Sequence, residues 1–75
     1  MNQPNKSYIN FLKTVDETYN HYSFDLRYGQ TIMNVLYDTW PEKYNELKGS
    51  NYDCFYDDGT VRLTLDKLEK EWQYG

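Results

Sequence analysis

Residues 26–40 read LRYGQTIMNVLYDTW and are followed directly by Pro41. The large apolar side chains of this stretch recur at helical spacing and are Leu26, Ile32, Met33, Val35, Leu36 and Trp40. Such a stripe is typical of a helix that buries one face. Because proline disfavours helical geometry at the residue before it, a helix that starts after Ser23 is predicted to end at Trp40. Gly29 destabilises such a helix by roughly 1 kcal/mol relative to alanine, which indicates a close helix crossing or a break near its start.

A second amphipathic helix is predicted upstream of this stretch. Its aromatic and apolar side chains fall three and four residues apart and are Tyr8, Phe11, Leu12, Val15, Tyr19 and Tyr22. The spacing predicts a helix over about residues 6–21, with Asn5 or Ser7 supplying the N-cap oxygen.

Two shorter helices are predicted in the second half of the chain. A proline suits the first turn of a helix over residues 41–48, and Gly49 supplies its C-terminal stop. Thr64 is predicted to cap the last helix, on which Leu65, Leu68 and Trp72 keep helical spacing. Residues 50–63 are predicted to form an ordered acidic aromatic loop or a short hairpin, because Asp58-Gly59 is a type I′ turn signal. The expected fold is mainly α, a compact small bundle of three to four helices.

The composition indicates one small domain spanning residues 1–75, with residues 1–5 as a flexible N-terminus. A core of this size supplies only about 3–5 kcal/mol, and the single cysteine excludes an intramolecular disulfide. The net charge of −4 and the scattered basic residues argue against nucleic acid as a partner. The polar start, the free thiol and the lack of a long apolar run predict a cytoplasmic protein that does not bind membranes.

No catalytic set, metal site or cofactor site is predicted. Cys54 and His21 are the only candidates for a nucleophile and its base, and the neighbouring Asp53 raises the thiol pKa. Cys54 is therefore predicted to be a small buried apolar residue, and the protein is predicted not to be an enzyme. Asp53, Asp57 and Asp58 do not fit the ligand spacing of a calcium loop, which favours carboxylates that cap turns over a loose Ca²⁺ or Mg²⁺ site.

A polar strip runs along the central helix, where Arg27, Thr31, Asn34 and Asp38 share one face and Gln30 flanks them. One hypothesis is a recognition surface. The other, which we favour, is a structural network in which Arg27 ties the helix to the loop at Asp53 or Asp57, while Gln30 and Asn34 cap loop carbonyls.

The chain is rich in aromatic residues, with nine tyrosines among 75 residues. Four aromatic residues are predicted to fill the core: Phe11, Trp40, Phe55 and Trp72. Five tyrosines cannot all be buried in so small a body, and these are Tyr28, Tyr37, Tyr44, Tyr52 and Tyr56. They either anchor a protein partner or cover the core with their rings while their hydroxyls face water. The candidate binding residues are these five tyrosines with Arg27, Gln30, Asn34, Asp53, Asp57 and Asp58.

Several short motifs along the chain form a recognisable set. They are Arg27-Tyr28-Gly29-Gln30, Asn34-Val35-Leu36, Pro41-Glu42, Gly49-Ser50, Asp53 with Phe55-Tyr56-Asp57-Asp58, and Trp72. The set resembles small uncharacterised proteins of tailed phages, notably cyanophages, and related bacterial hypothetical proteins; Cys54 stands where that pattern has a proline. The resemblance implies a phage setting and a unit that links the central helix to the loop, and it carries no activity.

These observations together lead to a functional expectation. We expect a small acidic, non-catalytic protein-binding module that acts on a host or viral protein. The alternative is a structural protein that assembles into a homo-oligomer, which would also compensate for the small core.

Overall fold

The computed structural model describes residues 3–22 and 24–74. These residues form four α-helices and one short 3₁₀ turn: α1 (Tyr8–Tyr22), α2 (Tyr28–Thr39), α3 (Pro41–Leu47), the 3₁₀ turn Asp58–Thr60 and α4 (Val61–Glu71). No strand occurs in either described range. The predicted small mainly-α bundle is confirmed. The hairpin suggested for residues 50–63 does not form: residues 50–57 form an ordered loop, residues 58–60 form the 3₁₀ turn, and residues 61–63 begin α4.

The central helix of the fold is α2, which contacts α1, α3 and the 3₁₀ turn. It supplies four buried apolar side chains, Ile32, Met33, Val35 and Leu36. The rest of the core comes from the surrounding elements through Phe11, Val15, Trp40, Leu47, Cys54 and Leu68. The predicted apolar stripe of residues 26–40 is thus the face that holds the other elements together.

An aromatic cluster joins both ends of the chain to α2. The Trp72 ring, just beyond α4, lies 4.8 Å from the Phe11 ring and 5.1 Å from the Trp40 ring. The Trp72 indole N–H donates to the carbonyl of Lys6 at 2.9 Å. Phe11 and Trp40 are buried as predicted, whereas Trp72 and Phe55 are half-buried.

The N-terminal segment closes the end of α2. The backbone N–H of Asn5 donates to the Thr39 carbonyl, and its side-chain amide donates to the Asp38 carbonyl, both at 2.9 Å. These bonds satisfy two of the carbonyls that a helix C-terminus leaves open. Pro4 beside them is buried. Of the segment predicted to be flexible, residues 1 and 2 lie outside the described residues, Pro4 is buried, and Asn5 is hydrogen-bonded to the end of α2.

Two predicted caps have different outcomes. The Ser7 hydroxyl accepts from the backbone N–H of Asn10 at 3.2 Å, so Ser7 caps α1 as expected. Thr64 does not cap α4, which begins three residues earlier, at Val61. The buried Thr64 hydroxyl hydrogen-bonds the carbonyls of Thr60 and Tyr52. Its role is therefore to tie α4 to the loop from inside the helix.

A buried lysine connects α3 to α4. The Lys43 ammonium donates to Glu46 at 3.0 Å and to Glu71 at 2.5 Å, and Lys67 reaches the other oxygen of Glu71 at 2.6 Å. Burial acts to lower the pKa of Lys43, but the hydrogen bonds to the two glutamates outweigh it and raise that pKa. The ammonium is therefore paired and charged where it is enclosed.

Candidate functional site

The loop between α3 and α4 is locked onto the first turn of α2 by three hydrogen bonds. The Gly29 N–H donates to Asp58 Oδ1 at 2.9 Å, and the Arg27 guanidinium donates to the Phe55 carbonyl at 2.9 Å. The Cys54 thiol lies 3.4 Å from the Gly29 carbonyl, to which it donates. We call these five residues the α2 junction.

Gly29 is the point of closest approach in the junction. A Cβ atom built on this residue would lie 2.1 Å from the Cys54 carbonyl oxygen and 2.9 Å from Asp58 Oδ1. No side chain fits against a backbone atom at that separation, so glycine is required here for the loop to reach the helix. Of the two sequence-based interpretations of Gly29, the close crossing is observed, with the loop rather than a helix as the partner.

Asp58 supplies the cap that α2 lacks in its own sequence. Arg27 occupies the N-cap position and its side chain makes no cap hydrogen bond. The Asp58 carboxylate accepts from the second residue of the helix instead, and a negative charge at this end is also favoured by the helix dipole. The helix and the loop therefore stabilise each other.

The other two loop carboxylates are also held by backbone groups. Asp53 accepts from the N–H of Gly49 at 2.8 Å and from the N–H of Phe55 at 2.9 Å. Asp57 accepts from the N–H of Gly59 at 2.8 Å. The described residues contain no group of three or more His, Cys, Asp or Glu placed to hold a metal ion. The geometry is that of turn and cap carboxylates.

The Cys54 side chain is buried inside the junction. Burial raises the pKa of its thiol, the nearby Asp53 and Asp58 raise it further, and a hydrogen bond involving Thr64 opposes them. The thiolate that nucleophilic chemistry needs is therefore disfavoured. His21, the other candidate from the sequence, is exposed on the last turn of α1 with its ring 4.6 Å from that of Tyr22.

Only part of the structural network predicted for the polar strip of α2 is observed. Arg27 does tie α2 to the loop, but through the Phe55 carbonyl rather than through Asp53 or Asp57, and the arginine is exposed. Thr31 is buried, and its hydroxyl donates to the Arg27 carbonyl at 2.9 Å. In the part of the chain that the structure describes, neither Gln30 nor Asn34 donates to a loop carbonyl. Arg27 is thus the one strip residue that links the two elements within these ranges.

Two of the five surplus tyrosines serve to join structural elements. The Tyr28 hydroxyl donates to Asp16 at 3.0 Å, and its ring meets that of Tyr19 edge-on at 5.2 Å. Burial and this hydrogen bond raise the pKa of Tyr28 to about 12. Tyr52 lies against α4, where the Lys67 ammonium sits 4.7 Å from the centre of its ring. Both tyrosines are thus engaged by residues of other elements.

The remaining three tyrosines come together around one cleft. The Tyr37 and Tyr44 rings meet at 5.1 Å and 76°, and the Phe55 and Tyr56 rings meet at 4.8 Å and 67°. A cleft of about 240 Å³ lies between α2, α3 and the loop, lined by Met33, Tyr44, Lys48, Asp53, Phe55 and Tyr56. Tyr56 is 82% exposed and Tyr37 is 57% exposed. We call the cleft together with Tyr37 the tyrosine cleft.

The polar tips of these three tyrosines are not used by the fold. Within residues 3–22 and 24–74, no protein group is hydrogen-bonded to the hydroxyl of Tyr37, Tyr44 or Tyr56. Each hydroxyl can both donate and accept. The tyrosine cleft therefore combines apolar ring faces with hydrogen-bonding groups that remain available to a ligand.

Sequence reasoning misses three residues of the tyrosine cleft as site residues. Met33 belongs to the core stripe of α2, Phe55 is predicted to fill the core, and Lys48 is the last residue of the helix predicted over residues 41–48. The ammonium of Lys48 lies 5.9 Å from the centre of the Tyr44 ring. No signal in the sequence marks these residues, because each has a sufficient structural role on its own element.

Comparison of the chain with protein-family models, curated proteins and solved structures finds no match. Among the helices of the described ranges, none is both long and apolar enough to cross a membrane. A proposal for the function therefore rests on the geometry of the tyrosine cleft and on the sequence motifs.

Proposed function

We propose that this chain is a small, non-catalytic protein-binding module that engages its partner through the tyrosine cleft. The observation that carries the proposal is the convergence of Tyr37, Tyr44 and Tyr56, from α2, α3 and the loop, with hydroxyls that no described residue uses. Tyrosine gives a large contact area with few rotatable bonds, and it is enriched among the residues that dominate protein interfaces.

The scaffold beneath the cleft supports this proposal. Phe55 and Tyr56 stand on the loop that Gly29 and Asp58 fix to α2, while Tyr44 stands on α3. Side chains held on ordered elements lose less conformational freedom on binding than side chains on a free loop. A preformed cleft thus lowers the entropic cost of binding a partner.

The rest of the proposal rests on the sequence. The phage setting follows from the resemblance of Arg27-Tyr28-Gly29-Gln30 and of Asp53 with Phe55-Tyr56-Asp57-Asp58 to tailed-phage proteins, and a host or viral protein in the cytoplasm is the partner expected in that setting. Four of the five residues of the α2 junction belong to those motifs: Arg27, Gly29, Phe55 and Asp58. The non-catalytic character is supported by the buried, protonation-favouring environment of Cys54 and by loop carboxylates that cap backbone groups.

The test is affinity capture from a cyanobacterial host lysate, before and after infection, with three forms of the protein. Wild type is compared with Tyr56→Ala, which alters the cleft, and with Tyr74→Ala, which removes a tyrosine of similar exposure to Tyr37 near the C-terminus. We expect one protein to be retained by wild type and by the Tyr74 variant and to be lost by the Tyr56 variant. Equal retention by all three forms would refute a role for the cleft.

The same proteins distinguish a heterologous partner from self-assembly. Sedimentation over a range of concentrations should give a constant mass if the cleft serves another protein. A mass that rises with concentration, and that Tyr56→Ala returns to the monomer value, would assign the cleft to homo-oligomer formation instead.

A further inference from the structure

We infer that the tyrosine cleft accepts a proline-rich segment in the polyproline II conformation, with a basic residue beside the prolines. The inference rests on the proposed function, since it names the chemistry of the partner at the same cleft. Three features support it: the kind of secondary structure that the cleft can pair with, the arrangement of its rings and hydroxyls, and the charge of the loop that forms one wall.

Other common modes of peptide recognition do not suit this cleft. Addition of a β-strand requires an exposed sheet edge, and the described residues contain no strand. An amphipathic helix is about 10–12 Å wide with its side chains and places anchors along several turns. The cleft of about 240 Å³, with a lysine and an aspartate among its six lining residues, has no room for such a row of anchors.

A polyproline II segment matches the rings of the cleft. The Tyr37–Tyr44 pair and the Phe55–Tyr56 pair are each tilted by more than 60°, so each pair offers one ring face beside one ring edge. Aromatic-lined grooves of this type bind proline rings, and the polyproline II backbone is ordered before binding, which reduces the entropy lost. The two ring pairs place the rings of Tyr44, Phe55 and Tyr56 in the lining of the tyrosine cleft and that of Tyr37 beside it.

The free hydroxyls match the backbone of the same segment. A polyproline II helix has no internal hydrogen bonds, and proline has no N–H, so the segment presents carbonyl acceptors and few donors. The hydroxyls of Tyr44 and Tyr56 are donors without a protein acceptor in the described ranges. Each hydroxyl can therefore donate to one carbonyl of such a segment.

The charge of the loop favours a basic residue next to the prolines. Asp53 lines the cleft and Asp57 and Asp58 directly follow Tyr56, so three carboxylates lie on this loop, against two cations, Lys48 in the lining and Arg27 at the Phe55 carbonyl. The whole chain carries a net charge of −4, which steers a cationic partner towards it. The basic residue is expected at the loop side of the cleft, away from Lys48.

The experiment is an NMR titration of the ¹⁵N-labelled protein with three synthetic peptides. They are decaproline with an arginine at one end, decaproline with a glutamate at that end, and an alanine-rich amphipathic helical peptide. We expect the arginine peptide to shift the amide signals of Met33, Tyr44, Phe55 and Tyr56, and to bind more tightly than the glutamate peptide in low salt. That advantage should decrease as salt is added, because exposed charges are screened.

Conservative variants test the role of the hydroxyls. Tyr44→Phe and Tyr56→Phe keep the rings and remove one hydrogen-bond donor each, so each should lower the affinity for the arginine peptide by about fivefold. Tyr74→Phe, away from the cleft, should leave the affinity unchanged. Unfolding of the phenylalanine variants in urea, monitored in parallel, should match wild type and so show that the fold is not the cause.

The inference would be overturned if neither proline peptide shifts the cleft signals at millimolar concentration, or if the helical peptide binds at the cleft equally well. Its failure is distinguishable from failure of the proposed function. If a partner is captured through Tyr56 while the proline peptides do not bind, the binding module stands and the polyproline inference falls. If the Tyr56→Ala variant also captures the partner as well as wild type does, both the proposed function of the cleft and the polyproline inference are refuted.

Discussion

The α2 junction and the tyrosine cleft both draw residues from the loop between α3 and α4, yet the polar groups of those loop residues differ in their use. In the junction, Cys54 and Asp58 turn towards α2, and their polar atoms find partners on Gly29. In the cleft, Tyr56 is largely exposed, and its hydroxyl has no partner among the described residues. A continuous acidic aromatic run is therefore divided residue by residue into a scaffold and a surface.

This difference leads to a simple expectation for substitutions. A change in the junction leaves a buried polar group without a partner or forces backbone atoms apart, and either effect lowers the free energy of unfolding. A change at Tyr37 or Tyr56, the exposed tyrosines of the cleft, alters hydroxyls that the fold does not use, so it should affect binding and leave stability nearly unchanged.

The largest effect is expected for Gly29→Ala. The new Cβ would lie 2.1 Å from the Cys54 carbonyl oxygen, so the loop must move away from α2 and weaken the Asp58 cap. Alanine favours a helix over glycine by about 1 kcal/mol, which offsets part of the loss. We expect a net loss of about 2–4 kcal/mol in the free energy of unfolding, measured in urea.

Gly49→Ala is the matched control for that substitution. Gly49 has a positive φ of 77°, and no atom lies within 4 Å of the position that a Cβ would occupy, so strain arises there without a clash. A left-handed conformation costs alanine roughly 1–2 kcal/mol. If Gly29→Ala lost less stability than Gly49→Ala, the close approach at Gly29 would not be the reason for its glycine.

Asp58→Ala should have the next largest effect, a loss of about 1–2 kcal/mol. The substitution removes the carboxylate that accepts from the Gly29 N–H and that faces the positive end of the α2 dipole. Asp58→Asn keeps an oxygen acceptor and removes the charge, so it should recover part of the loss. Unfolding in urea at neutral pH measures both variants, and an alanine variant as stable as wild type would contradict the cap.

How much of this difference is visible in the sequence depends on the range of the interactions. Periodicity and the flanking Pro41 and Gly49 predict that the helices exist, because those signals are local, but α2 begins at Tyr28 rather than directly after Ser23. The cap of α2 is not visible, since the acceptor lies 29 residues beyond the N–H that it serves. The predicted start of α4 is wrong for a related reason: Thr64 has the side chain of a typical cap, but its hydroxyl bonds within the helix and to Tyr52.

The candidate site is only partly predictable for the same physical reason. Counting aromatic residues against the size of the core shows that some tyrosines remain for the surface. It does not show that Tyr28 pairs with Asp16 or that Tyr52 lies under Lys67, because those partners come from other helices. The three tyrosines of the cleft are what remains once these tertiary contacts are known.

Arg27→Ala tests whether the junction depends on a charged link. The guanidinium is exposed and donates to one neutral carbonyl, that of Phe55, so the loss should be about 1 kcal/mol. For a domain of this size, such a loss lowers Tm by roughly 4–8 °C. A thermal melt provides the measurement, and Arg27→Lys serves as the control that keeps the charge. A loss several times larger would indicate an ionic network at Arg27.

Tyr56→Ala should have the smallest effect on stability and a large effect on binding. With 82% of its surface exposed and no hydrogen bond from its hydroxyl in the described ranges, Tyr56 contributes little to the folded state beyond its contact with the Phe55 ring. The free energy of unfolding should therefore stay within about 0.5 kcal/mol of wild type, while partner capture is lost. A clear loss of stability would mean that Tyr56 holds the loop in place. In that case the division between junction and cleft would disappear, because the outer residue of the loop would belong to the scaffold as well.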